Sequence, residues 1–256
     1  MRIKVLGGFG SEQPCCNLTG FLLNGCVMLD AGTISTGLTI AEMTAITHVV
    51  LSHAHLDHTN ALPFLADNVV GKKDSPVIVA AVDEVISAVS SHLFNNSIWP
   101  DFTKIPSEDN PVIKYHKLAA GREEKLGGGL EFKPVMVNHA VPTTGFIIKD
   151  GDKAIVYSGD TKATDEIWDV AAGLGNNLKA VLVETSFPNC MQEMADKSCH
   201  LTPQTLGKEL DKIKGYDGSV FVYHVKCQYI SEIEREIKAL GREGITIVSD
   251  GMELEV

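Results

Sequence analysis

Hydrophobic and polar positions in this chain change period several times, and each change marks an element. Arg2 to Leu6, Thr19 to Leu23 and Cys26 to Asp30 are short apolar runs of strand type, the last two separated by Asn24-Gly25, a strong hairpin signal. They predict a β meander entering a sheet. A short helical stretch near Leu38 to Thr44 leads into His48-Val49-Val50-Leu51, an apolar strand whose end delivers a cluster of histidines to a loop. Helical spacing follows at Ala61 to Asn68 and Val82 to Phe94. Strands are expected at Val77 to Ala80, Val112 to Leu118, Leu130 to Val137, Gly145 to Lys149 and Ala154 to Tyr157. Beyond residue 160 the pattern alternates: helix Asp165 to Ala172, strand Ala180 to Val183, helix Pro203 to Ile213, strand Val220 to Tyr223, helix Ser231 to Leu240, strand Ile245 to Val248. Thr202-Pro203 is a good N-cap and first-turn pair for one of those helices. Two β-then-α halves without an internal sequence repeat predict an α/β (α+β) chain. Two mixed sheets packed face to face with helices outside, a four-layer αββα sandwich, fit this element order.

Composition adds limits. No Pro/Gly/Ser-rich stretch of linker length interrupts the 256 residues, so a single domain over 1–256 is expected. Hydrophobic residues make up 44% and charged residues 21%, which supports a sizeable core and excludes a disordered chain. The formal charge of -11, from 33 acidic against 22 basic residues, repels polyanions and argues against a long nucleic acid as partner. A small anion held by metals is compatible with it. No apolar run reaches the roughly 18 residues of a membrane span, and the first strand is too short for a secretory signal, so a cytoplasmic protein without a membrane partner is expected. The six cysteines form no C-x-x-C pair and read as reduced thiols. Oligomeric state is not fixed by any of this, a homodimer included.

The chemistry concentrates in His53-Ala54-His55-Leu56-Asp57-His58. Four side chains of metal-ligating type stand within six residues. In an extended segment His53, His55 and Asp57 share one side at period two, and a turn at the end swings Asp57 and His58 toward a second centre. A structural zinc site is usually thiolate-rich and closed, whereas this run offers only imidazole and carboxylate, as open catalytic sites do.

His-x-His-x-Asp-His at a strand end, preceded by Leu29-Asp30-Ala31-Gly32, resembles the metallo-β-lactamase superfamily. The resemblance implies that superfamily's αββα fold and two divalent metal ions, with zinc the first expectation and manganese or iron the alternatives. It also extends the ligand set to His139 in VNHA, Asp160 in YSGDT and His224 in VYHVK, each after a predicted strand. Carried over, His53, His55 and His139 hold one metal, Asp57, His58 and His224 the other, and Asp160 bridges both. Asp30 orients the cluster from below. Two such metals activate a water for hydrolysis without naming the bond that is cleaved.

Glu184-Thr185-Ser186-Phe187 and Cys199-His200-Leu201-Thr202-Pro203 resemble the ETSF and HLTP segments of class II cyclic-nucleotide phosphodiesterases. A phosphodiester's alkoxide is a poor leaving group, and a positioned acid is worth about 10²–10⁴ in rate. His200, held protonated by Glu184, is the candidate acid, and Asp57 orients the attacking water. Ser91 to Phe102 is similar to a helix and WPDF-like loop of the same family, which makes His92, Asn95, Trp99 and Phe102 candidate substrate contacts, with Thr202 beside the acid. Lys162 and Lys226 stand next to Asp160 and His224 and are candidates to add positive charge. The resemblance thus implies a 3′,5′-cyclic nucleotide, cAMP or cGMP, as small-molecule substrate. Where that family tends to follow HLDH with an aliphatic and then a small residue, Thr59-Asn60-Ala61-Leu62-Pro63 stands here, a departure that bears on substrate preference. The rivals are an RNA 3′-processing nuclease, for which no basic arm is visible, and a lactamase, lactonase or thioesterase. A di-iron redox protein is disfavoured, because that branch typically has Glu where this chain has His55.

Overall fold

The alternating apolar positions resolve into two seven-stranded sheets in the computed structural model, which describes residues 1–256. The first runs in the order β14 (Glu253–Glu255), β1 (Arg2–Gly7), β2 (Gly20–Leu23), β3 (Val27–Leu29), β4 (His48–Val50), β5 (Val77–Ala81), β6 (Ile113–Lys117). The second runs β13 (Ile245–Ile247), β12 (Ser219–Tyr223), β11 (Leu178–Glu184), β10 (Lys153–Tyr157), β9 (Thr144–Asp150), β8 (Glu131–Met136), β7 (Glu124–Lys125). Each sheet is half meander and half crossover. Pairing is antiparallel from β14 to β3 and parallel from β3 to β6; it is antiparallel from β7 to β10 and parallel from β10 to β13.

Period two sorts the side chains into layers. Along β11, Ala180 and Leu182 point between the sheets while Val181 and Val183 face outward; Val50 and Val49 divide in the same way on β4. The inner cluster is built from strand and loop residues, among them Phe21, Phe132, Phe146, Tyr157 and Tyr223. The outer face of the first sheet packs on α1 (Ile40–Ala45), α3 (Leu62–Val69) and α4 (Asp83–His92). The outer face of the second packs on α5 (Glu166–Ala172), α7 (Pro203–Leu210) and α8 (Ile230–Ala239). In α8, Ile233 and Ile237 lie one turn apart and bury, while Glu234 and Lys238 pair on the solvent side at 2.7 Å. The expected αββα sandwich is what forms, and no helix is long and apolar enough to cross a membrane.

Departures from the sequence reading have local causes. β14 has one apolar residue, Leu254, too little alternation to read, and exists because it pairs with β1 opposite Ile3. α6 (Gln192–Ser198) buries only Ala195 and so shows no apolar stripe. α7 stops at Leu210, short of Ile213, but starts where the Thr-Pro pair predicts: Thr202 is its N-cap, in a reciprocal capping box with Thr205.

Candidate metal centre

Asp30 follows β3, His53 and His55 follow β4, His139 follows β8, Asp160 follows β10 and His224 follows β12, while Glu184 is the last residue of β11. Strand ends leave the ladder there, which frees side chains to point at one another instead of into a core. The hexapeptide is extended only as far as His55, the N-cap of α2 (Leu56–Thr59); Asp57 and His58 sit in that single helical turn. This is the turn expected at the end of the run, and it takes Asp57 out of the extended stretch that His53 and His55 share. Thr59 Oγ1 donates to the His55 carbonyl at 3.0 Å and Ala31 N donates to the His58 carbonyl at 2.7 Å, so the turn is tied to the loop after Asp30.

All seven sequence-predicted ligands come together. Potential donor atoms of His53, His55 and His139, of His53, His58 and Asp160, and of Asp57, His58 and His224 lie within 4.8 Å of one another in each group. Asp160 Oδ2 stands in the middle, 3.7 Å from His53 Nε2, 3.3 Å from His58 Nε2 and 3.2 Å from His224 Nε2. His139 Nε2 is 3.2 Å from His55 Nδ1, and His224 Nε2 is 3.1 Å from Asp57 Oδ2. Ligands at about 2.0–2.1 Å around a tetrahedral zinc are spaced about 3.3–3.4 Å apart, so these separations fit ligands that share a cation. Three of the atoms, His53 Nε2, His58 Nε2 and Asp160 Oδ1, are buried with no hydrogen-bond partner. Each such orphan costs about 1–3 kcal/mol unless something meets it, and a pair of divalent cations, one at His53 and one at His58 with Asp160 between, would meet all three. The donor set fits divalent metal ions.

Behind the ligands lies a layer of anchors. Asp30, fully buried, accepts from Ser52 N and Ser52 Oγ at 2.7 Å each, from His58 Nδ1 at 2.8 Å and from Tyr157 OH at 2.6 Å. His53 Nδ1 meets Ser52 Oγ at 3.0 Å, His139 Nδ1 meets the Cys199 carbonyl at 3.1 Å, and His224 Nδ1 meets Ser186 Oγ at 2.9 Å. Four rings are thus held by Nδ1 with Nε2 turned inward, the arrangement that fixes tautomer and orientation in metal-ligating histidines. Ser52, Tyr157 and Ser186 were given no role from the sequence, although Ser52 adjoins the hexapeptide and Tyr157 and Ser186 lie within YSGDT and ETSF. Asp30, Cys199 and His224 all have left-handed backbones, at φ 57, 60 and 62. Such strain, of order 1–3 kcal/mol per residue, gathers where a site dictates geometry. Gly10 lies so close that a Cβ there would stand 2.5 Å from His224 Cε1 and Nδ1.

Electrostatics point the same way. Burial pushes the pKa of His53, His55 and His139 down, so these imidazoles are neutral and able to ligate. Burial opposes ionisation of Asp57 and Asp160, yet His224 and His58 outweigh it and hold both carboxyls well below their usual range. For His58 the burial penalty is overcome by Asp160 and Asp30, which push its pKa up. To hold a cation at Nε2, His58 would give up the proton there and keep the one that Nδ1 donates to Asp30.

Glu184 Oε1 lies 2.8 Å from His200 Nδ1. The His200 ring stacks on His224 at 5.1 Å between centroids and meets His139 edge-on at 5.1 Å. Burial lowers the pKa of His200, but the Glu184 charge and hydrogen bond win and raise it. The αL residue Cys199, which ends α6, turns the chain so that His200 faces the cluster and not solvent. The expected substrate contacts fare differently. His92 is exposed at the end of α4, and Asn95 spends its amide on Ser91, Ser97 and Ile98. Trp99 packs edge-on against Phe64 at 5.4 Å, and none of these three shares a ring contact, ion pair or hydrogen bond with the cluster. Phe102 is a correction: 4% exposed and packed against Phe94, it is a core residue that cannot stack on a base. Thr202 is fully buried, its hydroxyl donating to Gln192 and capping α7, so it is spent on structure. Lys226 reaches back to the Gly10 carbonyl, and Lys162 is exposed.

Comparison with known proteins agrees with this geometry. A probable 3′,5′-cyclic-nucleotide phosphodiesterase of Yersinia pestis is 26% identical across 83% of this chain and 75% of its own length. 3′,5′-Cyclic-nucleotide phosphodiesterase 1 of Saccharomyces cerevisiae is also 26% identical, across 71% of this chain, which spans 56% of that protein. Among solved structures, unliganded yeast PDE1 superposes with a TM-score of 0.83 at 19% identity over 100% of this chain and 99% of that one. Human tRNase Z, short form, gives 0.72 at 16% identity over 100% and 99%. These likenesses give the metallo-β-lactamase fold. The family described as Beta-lactamase superfamily domain matches residues 30–224, from Asp30 to His224 and so across every ligand of the cluster, and the chain belongs to it.

Proposed function

We propose that this protein hydrolyses 3′,5′-cyclic nucleotides to nucleoside 5′-monophosphates. The observation that carries the reading is the Glu184–His200 pair, because a His200 donor atom lies within 4.8 Å of those of His139 and Asp160 and so faces whatever the cluster holds. Two divalent cations, zinc first, are assigned to His53, His55 and His139 and to Asp57, His58 and His224, with Asp160 between them; when bound they supply Lewis acidity that lowers the pKa of water and offsets phosphate charge. Asp57, a quarter exposed at the mouth and held ionised, accepts a hydrogen bond from the attacking water and aims it at phosphorus. His200, its Nδ1 held by Glu184, presents Nε2 to the 3′ oxygen and gives it a proton as the P–O3′ bond breaks. Phosphorus gains the water oxygen with one of its protons, the ribose gains the proton given by His200, and the second water proton leaves to solvent, from which His200 is reprotonated.

The names of the bacterial and yeast relatives support a cyclic nucleotide over other phosphodiesters. A compact anion also suits a chain of net charge -11 better than a long RNA does. Turnover of cyclic AMP, cyclic GMP, a nitrophenyl phosphodiester and a lactam by the metal-loaded protein tests the reading: lactam cleavage without phosphodiester cleavage overturns it. His200→Ala should lower kcat by about 10²–10⁴ on the cyclic nucleotide, far less on the nitrophenyl ester, whose leaving group needs no acid. Equal losses on the two substrates would remove His200 as the acid.

A further inference from the structure

Ser186, within the Glu184-Thr185-Ser186-Phe187 segment, has no part in the reaction described so far. Ser186 is fully buried, and its Oγ lies 2.9 Å from His224 Nδ1, 3.1 Å from Glu184 Oε2 and 3.2 Å from the His224 carbonyl. A serine hydroxyl has one proton to give and two lone pairs to accept with. His224 turns Nε2 toward Asp57 and Asp160, at 3.1 and 3.2 Å. As a ligand that nitrogen carries no proton, so the ring proton sits on Nδ1 and is donated to Ser186 Oγ. The serine proton then has two acceptors in reach. The carboxylate is charged and makes the stronger bond. Its rival donor at Oε2, Leu201 N, is farther away at 3.4 Å. The other carboxylate oxygen, Oε1, faces His200 Nδ1 at 2.8 Å and Thr161 N at 3.1 Å.

We propose that Ser186 is a positioning residue that couples His224 to the Glu184–His200 pair: His224 Nδ1–H donates to Ser186 Oγ, Ser186 Oγ–H donates to Glu184 Oε2, and His200 Nδ1–H donates to Glu184 Oε1 from the other side. It rests on the reading of His224 as a cation ligand and His200 as the acid. The serine does two things. It holds His224 in the tautomer that keeps Nε2 free for the cation, and it occupies Oε2 so that the carboxylate cannot rotate away from His200. The bland alternative is that Ser186 only caps the carbonyl of His224, whose left-handed backbone, φ 62, takes it out of the sheet. That role would leave His200, which Ser186 does not touch, unaffected.

The test is Ser186→Ala, with Ser186→Thr as the variant that keeps a hydroxyl, both as full chains. In the zinc-loaded protein, proton NMR of the imidazole N–H resonances should show His224 Nδ1–H and His200 Nδ1–H as protected downfield signals. Ser186→Ala should lose the first and shift the second, and competition with a chromophoric chelator should show the weaker zinc bound about 10–100-fold less tightly. Ser186→Thr should restore both signals and the affinity. If in Ser186→Ala the two imidazole protons and the zinc affinity stay as in the natural chain, the coupling is overturned. A failure of the acid reading shows separately, because His200→Ala would then lose equally on both leaving groups while the NMR coupling through Ser186 persists.

Discussion

Replacing Asp30 with asparagine tests whether the cluster is held from behind. The side chains have the same shape, so no cavity opens, and what changes is the hydrogen bonding together with the Asp30 charge that helps hold the His58 proton. Asp30 Oδ1 accepts from Ser52 N at 2.7 Å, while Oδ2 accepts from Ser52 Oγ, His58 Nδ1 and Tyr157 OH at 2.7, 2.8 and 2.6 Å. The asparagine must keep its oxygen on Ser52 N, since a backbone donor cannot turn around, and this places its NH₂ against the other three. The two hydroxyls can rotate and accept. The imidazole cannot, unless its proton leaves Nδ1 for Nε2, the atom that faces Asp160 at 3.3 Å. Either a buried N–H is orphaned, at about 1–3 kcal/mol, or the ring ceases to be a ligand. Chemical denaturation of the chelator-treated variant should therefore show a loss in that range. Zinc competition should show affinity reduced about 10–100-fold, equivalent to about 1.4–2.8 kcal/mol. A variant that matches the natural chain in both measurements would refute the reasoning, because it would mean that His58 is oriented by something other than Asp30.

Gly10→Ala should deplete metal on the His224 side while leaving the sheets folded, because its Cβ would stand 2.5 Å from that ring; zinc per chain against an unchanged far-ultraviolet circular dichroism spectrum checks this, and full zinc content would contradict it. Outside the metal cluster, the capping box of α1 should give a pH signature. The Glu42 carboxyl, bonded to Thr39 N and Oγ1 and paired with Lys4, has its pKa lowered from 4.5 to about 2, so its stabilisation is complete above 4.5 and is lost as pH falls toward 2. Melting temperatures of the natural chain and Glu42→Gln should converge over that window; a gap that stays constant with pH would contradict the assignment.

How far the sequence could be read depended on whether the informative residues were neighbours in the chain. A strand such as Val77–Ala81 shows itself as a short continuous apolar run and a helix such as Ile230–Ala239 by its own period, and the αββα order followed from such elements. The hexapeptide was legible because four metal-ligating side chains crowd it, and the turn expected at its end is the single helical turn that begins at Leu56. His139, Asp160 and His224 each stand alone in the sequence and were found only through family resemblance. The anchors were hidden because their meaning is a distance: Tyr157 bonds Asp30 across 127 positions, and Ser186 meets His224 across 38. Thr202 shows the opposite hazard, since one threonine carried both a capping signal and a place beside the acid, and its hydroxyl serves the cap and Gln192. Phe102 misled because an aromatic in a motif looks the same whether it stacks on a ligand or fills a core.

Convergence of His53, His55, Asp57, His58, His139, Asp160 and His224 on a pair of cations is most directly tested by elemental analysis of the chain after zinc saturation and desalting. Two zinc ions retained per chain is the expected result, and one or none would contradict it.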